Sequence, residues 1–440
     1  MSVMPAYQDA HATLAAGGAF TADTPWRAAR RADALKALAT LGFPTRKDEE
    51  WKYTPLRALQ KAAFARAAER GPFDADAHRL SGDGPIAVFV DGVFAPEASV
   101  LPAASGVLAM PMSAALDAHG GDVEAIWASE GADFASGFSA LNEAFARDGV
   151  ALFVAPDTSA ERLQILHIST GAAARGLAAL QHTIRVGAGS RARIVETFVG
   201  AAGAEYLTSR GLRADVARGA RLDHTVLQRE STASHHVSEG FVQLAADAEY
   251  HSNVVSFGGK VARDTLTVRL HESGGHAALG ALYVPGDGQT IDNHTAIDHR
   301  AQGCTSDQLY KGILDGSGHG VFNGKIFVRQ PAQQTAAEQM NRNLVLSPNA
   351  RIDTKPQLEI FADDVRCTHG CTIGQLERDE LFYLMSRAIS RTRARQMLLE
   401  GFAREVFERS EDALVEDTLL DAFRFQMALS EGGSHEAPSA

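Results

Sequence analysis

The residues best suited to chemistry lie in one short stretch, Lys355 to Gly374, KPQLEIFADDVRCTHGCTIG. Two of the chain's three cysteines and one histidine fall there, as Cys367, His369 and Cys371. Successive side chains of an extended segment alternate faces, so these three would project from one face, with neighbours about 6–7 Å apart. Thiolates and imidazole are the ligand types that suit zinc, copper and iron–sulfur centres. Three local ligands fall short of the four of a closed structural zinc site. A metal held here would need a bend at Gly370 or ligands from elsewhere. The opposing reading is two small buried cysteines and a hydrogen-bonded histidine.

A second polar cluster comprises Asp292, Asn293, His294, Asp298, His299 and Cys304, followed by Tyr310 and Lys311. Carboxylates beside histidines bind metals or move protons. His294 and His299 are five apart, however, which places them on neither one helix face nor one strand face. This cluster would be the site of a β-helix enzyme acting on carbohydrate. Against that alternative stand the lack of a signal peptide and of an aromatic-rich groove. No phosphate-binding G-x-x-x-x-G-K-[ST] loop exists, and the glycine-rich string Gly316–Gly320 precedes a strand-like run rather than a helix. Neither a G-x-S-x-G elbow nor an H-E-x-x-H helix is present. If nucleotide hydrolysis matters here, another chain performs it.

The elements that must position these residues change style along the chain. Residues 1–149 form a mixed, largely helical region. Pro25 to Leu41 is predicted helical, with Thr24 as cap and Gly42 as stop. A polar link, Arg46 to Leu59, follows, in which Trp51 and Tyr53 are expected to pack. Residues 86–93 alternate around Asp91-Gly92, a hairpin signal, and residues 113–147 return to helical spacing. From about residue 150 to 374, short β-prone runs follow turn residues at Gly189, Gly219, Asp247, Gly275, Gly318 and Asn349. The first four starts are spaced by about thirty residues, a period that points to stacked units such as a β-helix or similar solenoid. A multi-strand sandwich has comparable turn spacing. Residues 375–440 are helical again, with amphipathic segments 375–388, 391–407 and 414–429 and a frayed tail over the last ten residues.

Composition bounds the rest. The chain has 440 residues, 45% hydrophobic and 22% charged, with a net charge of −12. That acidic balance leaves no basic surplus for phosphates and disfavours a nucleic-acid role. Three cysteines do not make a disulfide framework and fit a reducing compartment. No apolar run approaches the ~18–20 residues of a membrane span. The first twenty residues lack a basic n-region and an apolar h-region, so the expected location is cytoplasmic.

Longer words add a resemblance. The run from His299 to Phe407 resembles the core domain of the SufB/SufD family of iron–sulfur cluster assembly proteins. The matching words are SDQLYKGIL (Ser306–Leu314), VFNGKIFV (Val321–Val328), QMNRNLVLS (Gln339–Ser347), KPQLEIFADDVRCTHG (Lys355–Gly370) and LFYLMSRAI (Leu381–Ile389). EEWKYTPL (Glu49–Leu56) is similar to that family's N-terminal segment. The C-x-H-G string and FYLMSR are closer to the SufD branch. The resemblance implies a mostly β fold: a right-handed parallel β-helix core flanked by N-terminal and C-terminal α-helical regions. It implies a non-catalytic scaffold subunit that pairs with a SufB-like paralogue through the β-helix end. It also implies docking of a SufC-like ATPase on the C-terminal helices. No cofactor is then bound permanently; a transient iron–sulfur cluster is shared with a partner chain near that interface. The family's cluster-site histidine falls on His369 and its cysteine on Cys367. Cys371 stands where a small non-thiol residue is usual, and it adds a third candidate metal ligand. Ala388 stands where glycine is common. Exposed strand edges allow a homodimer when the chain is isolated.

Overall fold

The structure, a computed structural model, describes residues 3–65, 70–80, 84–128 and 134–432. Its core is a parallel β-solenoid built from two facing sheets of ten and nine strands. The chain alternates between them, so strands adjacent in sequence lie in opposite sheets and lateral neighbours are one full turn apart. One column shows the repeat: Ala192, Leu222, Tyr250, Ala277, Ser306, Ala337 and Cys367 are successive lateral partners, 27 to 31 residues apart. Most of that column is buried, which fixes it as facing the interior. The two sheets close on one core that includes Leu212, Tyr250, Leu279, Ile297 and Phe322.

The six strand starts expected from turn residues are all present. The longer interval between Gly275 and Gly318 has a simple cause: His276–Tyr283 lies in the ten-stranded sheet and His319–Val328 in the other. Strands also begin before residue 150. Ile86–Val90 extends the ten-stranded sheet, and its hairpin turns at Asp91 (φ 50°) and Gly92 (φ 78°). Val107–Pro111 closes the other sheet as an antiparallel edge.

Helices cover both outer faces. Pro25–Leu41 is capped by Thr24, whose hydroxyl accepts from the Arg27 N–H at 3.2 Å, and stops at Gly42 with φ 62°. It packs with Gly137–Phe145 on the nine-stranded sheet, where Leu38, Phe138 and Leu141 meet Leu177, Leu207 and Val237. On the opposite face Arg391–Phe407 and Ala413–Gly432 bury Leu399, Val406, Phe407 and Phe423 against Val255, Leu282 and Leu309. The first C-terminal helix, Arg378–Ser386, buries none of its residues. Residues 433–440 of the expected frayed tail lie outside the described residues. No helix of the described residues is long and apolar enough to cross a membrane.

Candidate functional site

The strand Val365–Gly374 is the last of the ten-stranded sheet and has one lateral neighbour, Thr335–Val345. Cys367, His369 and Cys371 pair with Ala337, Gln339 and Asn341, three interior residues that are almost fully buried. The sequence expectation of one shared face therefore holds, and that face points along the solenoid interior at its open end. Below the three lie polar columns. The Gln339 Nε2 donates to Gln308 Oε1 at 2.5 Å, and the Asn341 Nδ2 donates to the Tyr283 hydroxyl at 2.9 Å and to the Tyr310 carbonyl at 3.0 Å. The Gln339 Oε1, one rung beneath His369, is buried without a partner among the described residues.

Exposure rises toward the end of the strand. Cys367 is half-buried against the core, His369 and Cys371 are exposed, and Cys304 is buried. Burial pushes the Cys367 thiol above its ordinary range, against a backbone N–H bond from Ala337. The same holds for Cys304, whose Sγ donates to the Glu272 carbonyl at 3.3 Å. Within this one chain the strand keeps Cys367, His369 and Cys371 apart. They are not among the described residues whose ligand atoms gather within 4.8 Å. Apolar side chains surround this end: Ile360, Phe361 and Ile373 on the last turn, and Phe382, Tyr383 and Met385 on the next helix are all exposed, Phe382 at 73%.

The outer face of the ten-stranded sheet is tied to the C-terminal helices. Lys311, 2% exposed, donates to the Phe402 carbonyl at 2.8 Å, lies 4.3 Å from the Phe402 ring and pairs with Glu405. Asn253 donates to the Val406 carbonyl at 2.9 Å, and Arg409 pairs with Asp307.

The second cluster does not form one site. Asp292 and His294 face outward on Thr290–His299, beneath the Trp51 segment. Arg263 stacks 3.6 Å from the Trp51 ring and donates to Asp292 at 2.9 Å, to Thr54 at 3.2 Å and to the Glu50 carbonyl at 2.7 Å. His294 lies 2.9 Å from Asp292 and 3.6 Å from Glu50. His299 points to the interior and contacts Ser306 at 2.9 Å. These residues fasten the N-terminal segment to the solenoid.

A group that no sequence motif marks lies inside the solenoid. Glu196, fully buried, receives His167 at 3.0 Å, His182 and His224 each at 3.1 Å, and the Arg210 guanidinium. Burial alone would raise the Glu196 carboxyl, but Arg210 and the imidazoles hold it well below the usual carboxylate range. Two histidines and a carboxylate within 4.8 Å have the make-up of a metal site. The tautomer argues otherwise. His182 Nδ1 accepts the Val150 N–H at 2.9 Å, so its proton sits on Nε2, where a metal would need a lone pair. The group is a hydrogen-bonded cage around one carboxylate. Its only sequence signal is spacing: residues 182, 196, 210 and 224 recur every fourteen positions, half a solenoid turn.

Comparison with known proteins bears directly on this geometry. The family description "SUF system FeS cluster assembly, SufBD core domain" matches residues 167–402, and "SufBD protein N-terminal region" matches residues 7–165. The chain is 34% identical to the iron–sulfur cluster assembly protein SufD of Escherichia coli K12 over 397 residues, covering 89% of this chain and 91% of that one. It is 30% identical to the SufBD family protein slr0076 of Synechocystis over 398 residues, 86% of each chain. It is 38% identical to the chloroplastic protein ABCI7 of Arabidopsis thaliana over 231 residues, about half of each. The two-sheet solenoid, its helical cladding and these matches over nearly the whole length place the chain in the SufBD family of iron–sulfur cluster assembly proteins, of the SufD type.

Proposed function

We propose that this chain is a non-catalytic scaffold that pairs with a SufB-like paralogue and offers its C-terminal helices to a SufC-like ATPase. Its share of the work is to hold one side of the place where an iron–sulfur cluster, the cargo, is built. The observation that carries the reading is the final strand. Three soft ligands top interior columns at an end with no further strand beyond it among the described residues. A labile cluster needs an incomplete ligand set that a second chain completes, not a closed cage. In this reading His369 and Cys367 are ligands, and Cys371 adds a third specific to this chain. The exposed apolar residues around the end supply the docking area that an interface core requires. The same edge offers a route to a homodimer when no paralogue is present.

The helices supply the route for control. Lys311 ties Arg391–Phe407 to Thr305–Leu314, and two strands further on lies Val365–Gly374. A partner that displaces this helix on ATP hydrolysis would shift the edge within two rungs. The compartment is a reducing one, such as the cytoplasm, because exposed thiols must stay free.

The test is anaerobic co-production with the paralogue and the ATPase of the same host, followed by iron and sulfide analysis. The expected result is a stoichiometric complex in which His369→Ala stops cluster build-up while the complex stays intact. Normal cluster content in a stable His369→Ala complex removes His369 from the site. Recovery of the chain without either partner overturns the scaffold reading itself.

A further inference from the structure

A cleft of about 500 Å³ opens far from the final strand, at the corner where successive solenoid turns stack. Its floor is made by the turn tips Ser169–Thr170, Gly200–Gly203, Arg229–Thr232 and Phe257–Gly258. One wall is the N-terminal stretch with Pro72, Phe73, Asp74 and His78. The other is the last helix, through Ala422, Phe425 and Gln426. Three separate regions of the chain thus converge on one hollow, of the size that takes a small organic molecule.

Arg229 sits in this hollow with an uncompensated charge. Its guanidinium makes no ion pair with a carboxylate among the described residues, and its Nε is buried without a partner. Its hydrogen bond among the described residues is to a neutral acceptor, His78 Nδ1, at 3.2 Å from Nη2. Burial lowers the Arg229 pKa, and burial and Arg229 together lower that of His78 against the Asp74 carboxylate on the same wall, whose Oδ1 already accepts from the Asp76 and Ala77 N–H groups. The nearby Glu230 carboxylate is already engaged by Thr208 at 2.6 Å, Gln228 at 3.1 Å and His236 at 2.7 Å. A half-buried cation without a counter-charge is costly, and a bound anion relieves it. The remaining walls are apolar and aromatic: Phe73, Val199, Phe257 and Phe425, the last 63% exposed at the mouth. Arginine forms paired hydrogen bonds with carboxylate or phosphate, and aromatic faces accept a flat ring.

We infer that this cleft binds a small organic anion, a carboxylate or phosphate attached to a flat apolar group, with Arg229 on the anion and Phe425 over the ring. The site is independent of the final strand; its outer wall belongs to one of the C-terminal helices offered to the ATPase, so the titration uses the chain without that partner.

The experiment is isothermal titration of the full chain with phenyl phosphate, phenylacetate and neutral benzyl alcohol. Both anions should bind more tightly than the alcohol, and the tighter of the two identifies the headgroup. Arg229→Gln should weaken the anions at least tenfold and leave the alcohol unchanged. Phe425→Ser, at an exposed position that does not hold the fold, should weaken all three. If Arg229→Gln does not fold, the anion-to-alcohol preference in the unaltered chain and the Phe425→Ser loss decide the matter. Binding of the alcohol as tightly as the anions, retention of affinity in both variants, or no binding of any probe overturns the inference.

Discussion

Replacing Arg263 by methionine tests how the N-terminal segment is held. The substitution keeps most of the apolar stem and removes the guanidinium. Four hydrogen bonds vanish, to Asp292, Thr54, the Glu50 carbonyl and the Thr265 hydroxyl, together with the stack on Trp51. Asp292 is 1% exposed and keeps only Thr54 and His294 as partners. Breaking a buried ion pair from one side costs about 3–5 kcal/mol, because the remaining charge stays desolvated. The desolvated cation–π contact, roughly 2 kcal/mol, overlaps with this figure and does not add in full. The expected loss is therefore about 3–5 kcal/mol in a urea titration, with faster amide exchange over Glu49–Leu56. The double variant Arg263→Met/Asp292→Asn should lose less than Arg263→Met alone, since no stranded charge remains. The pH dependence has a definite sign. Arg263 and His294 hold the Asp292 carboxyl below its ordinary value against the effect of burial. A depressed carboxylate contributes stability that is present above its unfolded pKa of about 3.9 and is lost as pH falls toward the folded one. The gap between the parent and Arg263→Met should thus be full at pH 7 and narrow below pH 4. An unchanged urea midpoint, or a gap that persists undiminished at pH 3, refutes the reasoning.

Other consequences are simpler to check. Ala388 ends the helix Arg378–Ser386 with φ 63°, a left-handed conformation that costs a residue with a Cβ about 1 kcal/mol. Ala388→Gly should raise stability by up to roughly 0.5 kcal/mol after the added unfolded-state entropy of glycine, read as a shift in midpoint. Native thiol labelling should modify Cys371 first, Cys367 slowly and Cys304 only on unfolding, since burial raises the latter two thiols; equal rates would contradict the burial. Burial lowers His167, His235 and His299 to about 4 each. Their unfolded forms take up protons below about 6.5, so stability should fall as pH drops from 6.5 to 4, by up to roughly 3 kcal/mol per histidine. A flat profile over that window would show that these rings are not buried neutral.

Much of this architecture was readable because it is written in local signals. Thr24, Pro25 and Gly42 bracket a helix by capping chemistry alone, and turn residues before each run marked six strands. The intervening strands were harder to see. Tyr206–Val216 and His235–Leu244 carry Arg210, Arg213, Ser209, His235, His236 and Ser238 in buried positions. Charged and hydroxyl residues on both faces erase the two-residue alternation that reveals a strand. The final strand kept its alternation, so the common face of Cys367, His369 and Cys371 was legible. The separation of His299 from His294 was legible too, through their five-residue spacing. What covers Asp292 was not, because its partners Arg263 and Thr54 lie 29 and 238 residues away. The Glu196 cage escaped for the same reason: its members are distant in sequence and meet only when the turns stack.

The segment around Glu50 reaches unusually far along the solenoid. Glu50 pairs with Lys325 at 2.5 Å, and Glu49 pairs with Lys355 at 2.9 Å, across 275 and 306 residues of sequence. The turns themselves contact neighbours only about thirty residues away and can therefore assemble in the order in which a ribosome releases them. The Glu49–Thr54 stretch cannot follow that order. It precedes the solenoid in the chain and must wait for residues 263, 292, 325 and finally 355 before all its fastenings exist. A segment made before the solenoid is thus fully secured only after it, and a nascent chain arrested before residue 355 would hold it by Arg263, Asp292 and Lys325 but lack the Glu49–Lys355 pair. Its closure reports that the solenoid has been completed.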